Sequence, residues 1–130
     1  MMVNYKEIIL DLKRTKEERI QAAFHMENIA DEASIQALVQ ALETDPSPIV
    51  RHECAFALGE TATPEFAAAS LKRACEKDPN IFVRHEAILA LATLGDKKHI
   101  PFIETFLKDK DPEIVESAEI ALQRLQNEQA

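Results

Sequence analysis

The sequence predicts an all-α fold, an α-α superhelical solenoid of about four helix-pair repeats. Three observations carry that prediction. Ala, Leu, Ile, Glu and Lys dominate while the 130 residues include only 2 Gly and 6 Pro, a mixture of helix formers with little to punctuate a sheet. Asp-Pro recurs at one constant interval, at Asp45-Pro46, Asp78-Pro79 and Asp111-Pro112, which marks a repeated structural unit. Apolar residues then follow the helical period, at Val50, Cys54, Ala57 and Leu58 and again at Val83, Ala87, Ala90, Leu91 and Leu94.

Taken in order, a helix over residues 3–13 is expected to cover the first pair. Thr15 with Glu18 reads as a capping box and opens a divergent first unit running to Ala30, in which Arg19 precedes Arg51 by nearly the same interval. A second helix follows over 33–43. Asp is a favoured N-cap and Pro is tolerated at the first helical position, so each Asp-Pro is expected to start a helix. Gly59 and Gly95 are expected to supply the left-handed residue that ends two of them. Second helices are predicted over 64–77, with Thr63-Pro64 as cap and first position, and over 97–108. A last helix over 112–127 carries the stripe Val115, Ala118, Leu122 and Leu125 with no helix after it, so that stripe needs cover. The length suits one core, and residues 1–130 read as a single repeat domain.

Charge narrows the function classes. The 15 basic and 23 acidic residues give a net charge of −8, which disfavours nucleic acid and favours a basic protein partner. No run of 18 apolar residues exists, and MMVNYKEIILDLK carries charges where a leader needs an apolar stretch. No membrane association and a cytoplasmic location are the expectations. Cys54 and Cys75 lie inside helical patterns and read as buried, reduced thiols. No Gly-rich phosphate loop, Ser-His-Asp order or CxxC occurs, so nucleotide chemistry and nucleophilic catalysis have no support.

In a solenoid, equivalent positions of successive units become neighbours. Val50-Arg51-His52-Glu53 and Val83-Arg84-His85-Glu86 are such positions, separated by the same interval as the Asp-Pro pairs. Packed helices sit about 8–10 Å apart, within the combined reach of two imidazoles and an ion. His52, His85 and Glu86 thus make a candidate 2-His-1-carboxylate set of the kind that suits non-haem iron, with Glu53 as a fourth ligand or a group supporting the others. The same ligands would also accept zinc or manganese. The aligned positions in the outer units are Ile20-Gln21 and Ser117-Ala118, so the motif is not a general requirement of the repeat. Arg19, Arg51 and Arg84 read as structural, tying neighbouring turns through carboxylates or carbonyls. His25 and His99 occupy no matching positions and read as ordinary packed or surface histidines.

The segments VRHECAFALGE and VRHEAILALATLGD resemble the His-Glu HEAT repeats of deoxyhypusine hydroxylase, and VESAEIALQRLQ resembles the repeat that follows them. The resemblance covers most of this chain and one half of that family's. It implies a HEAT-like solenoid in which His52, His85 and Glu86 match iron ligands and Glu53 matches a glutamate associated with substrate binding. It further implies half of a non-haem di-iron centre that activates dioxygen to hydroxylate a lysine-derived side chain on a protein. A homodimer would restore the other half, with the stripe on the last helix as one candidate contact surface. Phycobilin lyase HEAT repeats share the helical pattern without the His-Glu pairs. The alternative from another class is a metal-free scaffold whose inner face binds a basic protein partner.

Overall fold

The computed structural model describes residues 3–61 and 65–127. Among these the elements are all helical: α1 (Tyr5–Leu10), α2 (Lys16–Ile29), α3 (Glu32–Thr44), α4 (Pro48–Glu60), α5 (Glu65–Lys77), α6 (Ile81–Thr93), α7 (Ile100–Glu104) and α8 (Pro112–Asn127). The capping box at Thr15 and Glu18 forms in full at the start of α2. Helix α1 is shorter than its apolar pattern suggests, because the Asp11 carboxylate accepts the Lys13 N–H at 3.0 Å and turns the chain. The expected cap at Thr63-Pro64 lies outside the described residues.

Two of the Asp-Pro pairs do not start helices. Helices α4 and α6 begin two residues later than expected, with Ser47 and Asn80 at their N-caps. Asp45 and Asp78 instead accept the N–H of Ser47 and Asn80, each at 2.9 Å, in turns that precede the helices. Of the three, only α8 begins at its Asp-Pro proline, where Asp111 accepts the Glu113 N–H at 3.0 Å. The segment 97–108 is also not one helix: 3-10 turns at Lys97–His99 and Thr105–Lys108 flank the short α7. Pro101 lacks the N–H that a continuous helix would return to the Lys97 carbonyl, and Ile100 takes that carbonyl in a tighter turn.

Helices α2, α4, α6 and α8 pack side by side as one layer. The second layer includes α1, α3 and α5, with α1 against α3 and α3 against α5. Each of α4 and α6 also packs on the second-layer helix that precedes it, α4 on α3 and α6 on α5. Burial of Leu38, Leu58, Leu71, Ile88 and Leu91 makes one continuous core between the layers, each such side chain contributing about 1.5–3 kcal/mol of transfer free energy. Because α7 and α6 both lie against α8, the last helix is not uncovered. Ala118 and Leu125 are fully buried and Leu122 nearly so, with Val115 half-buried, so most of this stripe is used inside the chain, against the expectation that it is uncovered.

A ladder of arginines ties the units together, as their recurrence suggests. Arg19 Nε and Nη2 donate to the Asp45 carboxylate at 2.8 and 3.2 Å. Arg51 repeats the fork on Asp78 at 2.9 and 3.2 Å and sends Nη1 to the Asp45 carbonyl at 2.8 Å. Arg84 Nη2 reaches Asp109 at 2.6 Å, and its Nε the Cys75 carbonyl at 2.7 Å. The Arg84 hydrogen bond holds the Asp109 carboxyl below its ordinary range.

Gly95 ends its helix in the left-handed region, with φ of 76°, but Gly59 does not: it lies within α4. Its role is close approach, since a Cβ there would sit 2.8 Å from both Cα and Cβ of Ala90 on α6. Gly59→Ala is therefore expected to destabilise the fold by about 1–3 kcal/mol through overpacking, offset in part by ~1 kcal/mol of helix propensity. A fall in the urea midpoint checks this; an unchanged midpoint would mean that α4 and α6 separate freely.

Candidate metal centre

Small residues bring α4 and α6 together, and the same contact sets the spacing of the residues they carry outward. Cys54, Ala55, Ala87 and Ala90 are buried, while His52 and Glu53 on α4 and His85 and Glu86 on α6 are partly exposed. His52 Nε2 lies 3.5 Å from Glu86 Oε1, and His52 Nδ1 lies 3.8 Å from Glu53 Oε1. At these spans the pairs are contacts of an ionic kind only when His52 is protonated. His85 does not join them: its Nδ1 is hydrogen-bonded to Ser117 Oγ on α8.

The last unit explains that pairing. Asp109, rather than Asp111, takes the place of Asp45 and Asp78 in the arginine ladder, and Ile114 takes the buried place of Val50 and Val83. The unit is thus shorter than the interval between Asp-Pro pairs. Glu116-Ser117, one residue earlier than the expected Ser117-Ala118, occupies the His-Glu position. Each histidine accordingly faces the residue at the glutamate position of the next unit: His52 faces Glu86, and His85 faces Ser117.

The surrounding charge is acidic. Burial pushes the Glu86 carboxyl up, opposed by His52 and reinforced by Glu53 and Glu60. Glu27 is likewise pushed up, first by burial and then by Glu60 and Glu53. Like charges that raise one another's pKa values would be relieved by an added cation. Burial pulls His85 below the ordinary histidine value, and the neighbouring His52 adds to this, so the ring favours its neutral, donor-capable form. Glu27 and Glu60 were not singled out by the motif, although Glu60 stands two turns beyond Glu53 and so shares its helix face.

An apolar rim borders this patch. Ile49, Phe56 and Phe82 are 53, 41 and 62% exposed, and a groove of about 370 Å³ runs between Ile49, His52, Glu53 and Phe82. Ile49 and Phe82 stand three residues before the histidines, a helical spacing that places them on the same face. Elsewhere, His25 stacks on Tyr5 with ring centroids 4.6 Å apart. His99 is 1% exposed, and its Nδ1 has no hydrogen-bond partner among the described residues. Cys54 and Cys75 are buried, free thiols, and burial pushes both upward in pKa, which leaves them inert.

The donor set fits a first-row divalent ion in kind, two imidazoles and two carboxylates on one open face. In arrangement the fit is partial. Two bonds of about 2 Å each span up to about 4 Å between donors, and the 3.5 Å gap from His52 to Glu86 falls within that reach. Among the described residues no three His, Cys, Asp or Glu side chains converge to enclose an ion. The described residues of one chain do not by themselves enclose a metal ion.

Residues 7–92 and 68–130 match the family described as HEAT repeats. Deoxyhypusine hydroxylase-B of Oryza sativa subsp. japonica is 33% identical over 125 residues, 96% of this chain and 41% of the relative. Deoxyhypusine hydroxylase of Dictyostelium discoideum is 38% identical over 104 residues, 80% of this chain and 33% of the relative. The chain thus spans less than half the length of these curated relatives. The solved structure of human deoxyhypusine hydroxylase in complex with glycerol is similar with a TM-score of 0.89 at 26% identity, covering 96% of this chain and 43% of that one. The CpcE and CpcF complex of a Nostoc phycocyanin lyase gives a TM-score of 0.61 at 20% identity over 96% of this chain and 66% of that one, a likeness of fold alone. No helix among the described residues is long and apolar enough to cross a membrane.

Proposed function

This chain belongs to the HEAT-repeat family and is deoxyhypusine hydroxylase-like, and on that premise we propose that it is an iron-binding protein that forms a non-haem di-iron centre as a homodimer and hydroxylates a basic protein side chain. The observation that carries this reading is the placement of two His-Glu pairs on packed helices α4 and α6, with His52 Nε2 3.5 Å from Glu86 Oε1. His52, His85 and Glu86 would hold the metal. When bound, the iron pair supplies dioxygen activation.

The chain's own residues do the rest. Glu53, with Glu27 and Glu60 nearby, attracts the cationic end of a basic side chain. The exposed faces of Ile49 and Phe82 cover its methylene stem and exclude water from the groove. A second copy brought over the same face would complete the ligand shell and bury Ile49, Phe56 and Phe82, which suits the self-complementary contact of a two-fold dimer. With the α8 stripe used inside the chain, this face is the better candidate for that contact.

Metal analysis of protein purified from iron-supplemented cells tests the reading. The expected result is roughly one iron per chain, the ligand count of half a two-metal site, and loss of nearly all of it when His52 and His85 are both changed to alanine. Protein without iron, or iron that survives the double change, would reject it. A second reading is favoured by the exposed apolar rim of Ile49, Phe56 and Phe82 beside the acidic patch: a metal-free docking face for a basic protein. Under that reading the double change leaves stability and partner binding nearly unaltered.

A further inference from the structure

We propose that Ser117 is a positioning residue that holds His85 as its Nδ1–H tautomer and thereby turns the Nε2 lone pair toward the open face, as a donor for a divalent first-row cation. The inference rests on the iron reading above and adds a residue that the His-Glu motif does not contain.

The argument follows one proton. Ser117 Oγ has a single hydrogen, and it donates that hydrogen to the Glu113 carbonyl at 2.7 Å. This is the bond a helical serine makes to its own preceding turn. Toward His85 Nδ1, the hydroxyl oxygen can then only accept. Nδ1 must therefore carry a hydrogen, and in the neutral ring the lone pair is left on Nε2. Nε2 makes no hydrogen bond to a described residue. Ser117 is fully buried, so water does not compete for the contact.

Histidines that ligate metals commonly donate their other ring N–H to a carboxylate, a carbonyl or water, which fixes the tautomer and aims the ring. Here the chain Glu113 carbonyl, Ser117 hydroxyl, His85 ring serves that purpose. Its place in the repeat is informative. Glu86 stands at the glutamate position facing His52, whereas the next unit offers His85 a neutral hydroxyl at the corresponding place. The ring is oriented without a further negative charge, and its second nitrogen stays free.

The test has two readouts. Nitrogen-15 NMR of the histidine rings in the metal-free chain, above the range where they protonate, is expected to show His85 as a single Nδ1–H tautomer, and Ser117→Ala is expected to give a mixture. Anaerobic titration with ferrous iron is expected to show that Ser117→Ala weakens binding by about 10–100-fold, with circular dichroism showing the metal-free variant still folded at the titration temperature. A wild-type ring in the Nε2–H form, a tautomer unchanged in Ser117→Ala, or equal iron affinity in the two proteins would each overturn the proposal. Wild-type protein that takes up no iron counts against the iron reading, and the ring spectrum of the metal-free chain then decides the Ser117 assignment by itself.

Discussion

Arg19→Ala is expected to cost about 3–5 kcal/mol, the penalty for leaving a buried charge without its partner, and so to remove much of the roughly 5–15 kcal/mol typical of a folded domain. The Arg19 and Asp45 side chains are 6 and 1% exposed. With the guanidinium gone, the Asp45 carboxylate keeps, among the described residues, the Ser47 N–H at 2.9 Å, and the Arg14 carbonyl loses a donor at 2.6 Å. The effect should fall along the ladder as exposure rises, to Arg51→Ala with side chains 11 and 6% exposed and then Arg84→Ala with side chains 19 and 15% exposed. Lysine should not rescue Arg19, because an ammonium cannot reproduce the two-pronged contact. Urea unfolding followed by circular dichroism measures the series, and a double-mutant cycle with Asp45→Ala isolates the pair. An Arg19→Ala loss below about 0.5 kcal/mol, the range of ordinary surface changes, would remove the ladder from the account of stability.

The ladder also indicates what was readable beforehand. Arg19, Arg51 and Arg84 recur at nearly constant spacing, so their structural role followed from periodicity alone. Their partners did not follow: Asp45 and Asp78 looked like helix caps because Asp-Pro is a common helix start, and their carboxylates turn out to serve the preceding unit's arginine. The same misreading made the last unit too long, because Asp111-Pro112 sits at the true start of its helix while the earlier Asp-Pro pairs sit two residues before theirs. On the Asp-Pro interval Ser117 falls one place from its true repeat position, so its pairing with His85 is not legible in the sequence. Gly59 illustrates a different limit. A glycine near a helix end reads as a terminator, and only the 2.8 Å approach to Ala90 reveals a packing requirement. The neighbourhood of His52 and Glu86 was legible because stacking brings equivalent positions side by side, but the rotamer that turns His85 toward α8 depends on a residue of the next unit.

Ferrous iron is expected to stabilise the protein and to assemble it at the same time. At a free concentration a hundredfold above Kd, binding to the folded state alone adds about 2.7 kcal/mol, a rise in Tm on the order of 10 °C for a chain of this size. Without metal, two copies meeting through the His-Glu face would set Glu27, Glu53, Glu60 and Glu86 of each against the other, and burial with mutual repulsion already pushes Glu27 and Glu86 upward in the single chain. Cations between the faces would relieve that repulsion and let Ile49, Phe56 and Phe82 bury one another. Sedimentation under anaerobic conditions should therefore show monomer without iron and dimer with it, and the gain in Tm should grow with protein concentration. In the double variant of His52→Ala and His85→Ala, neither change is expected. A gain that is independent of protein concentration would assign the metal to a single chain, a gain that persists in the double variant would place it elsewhere, and no gain at all would leave the acidic face without an ion to hold.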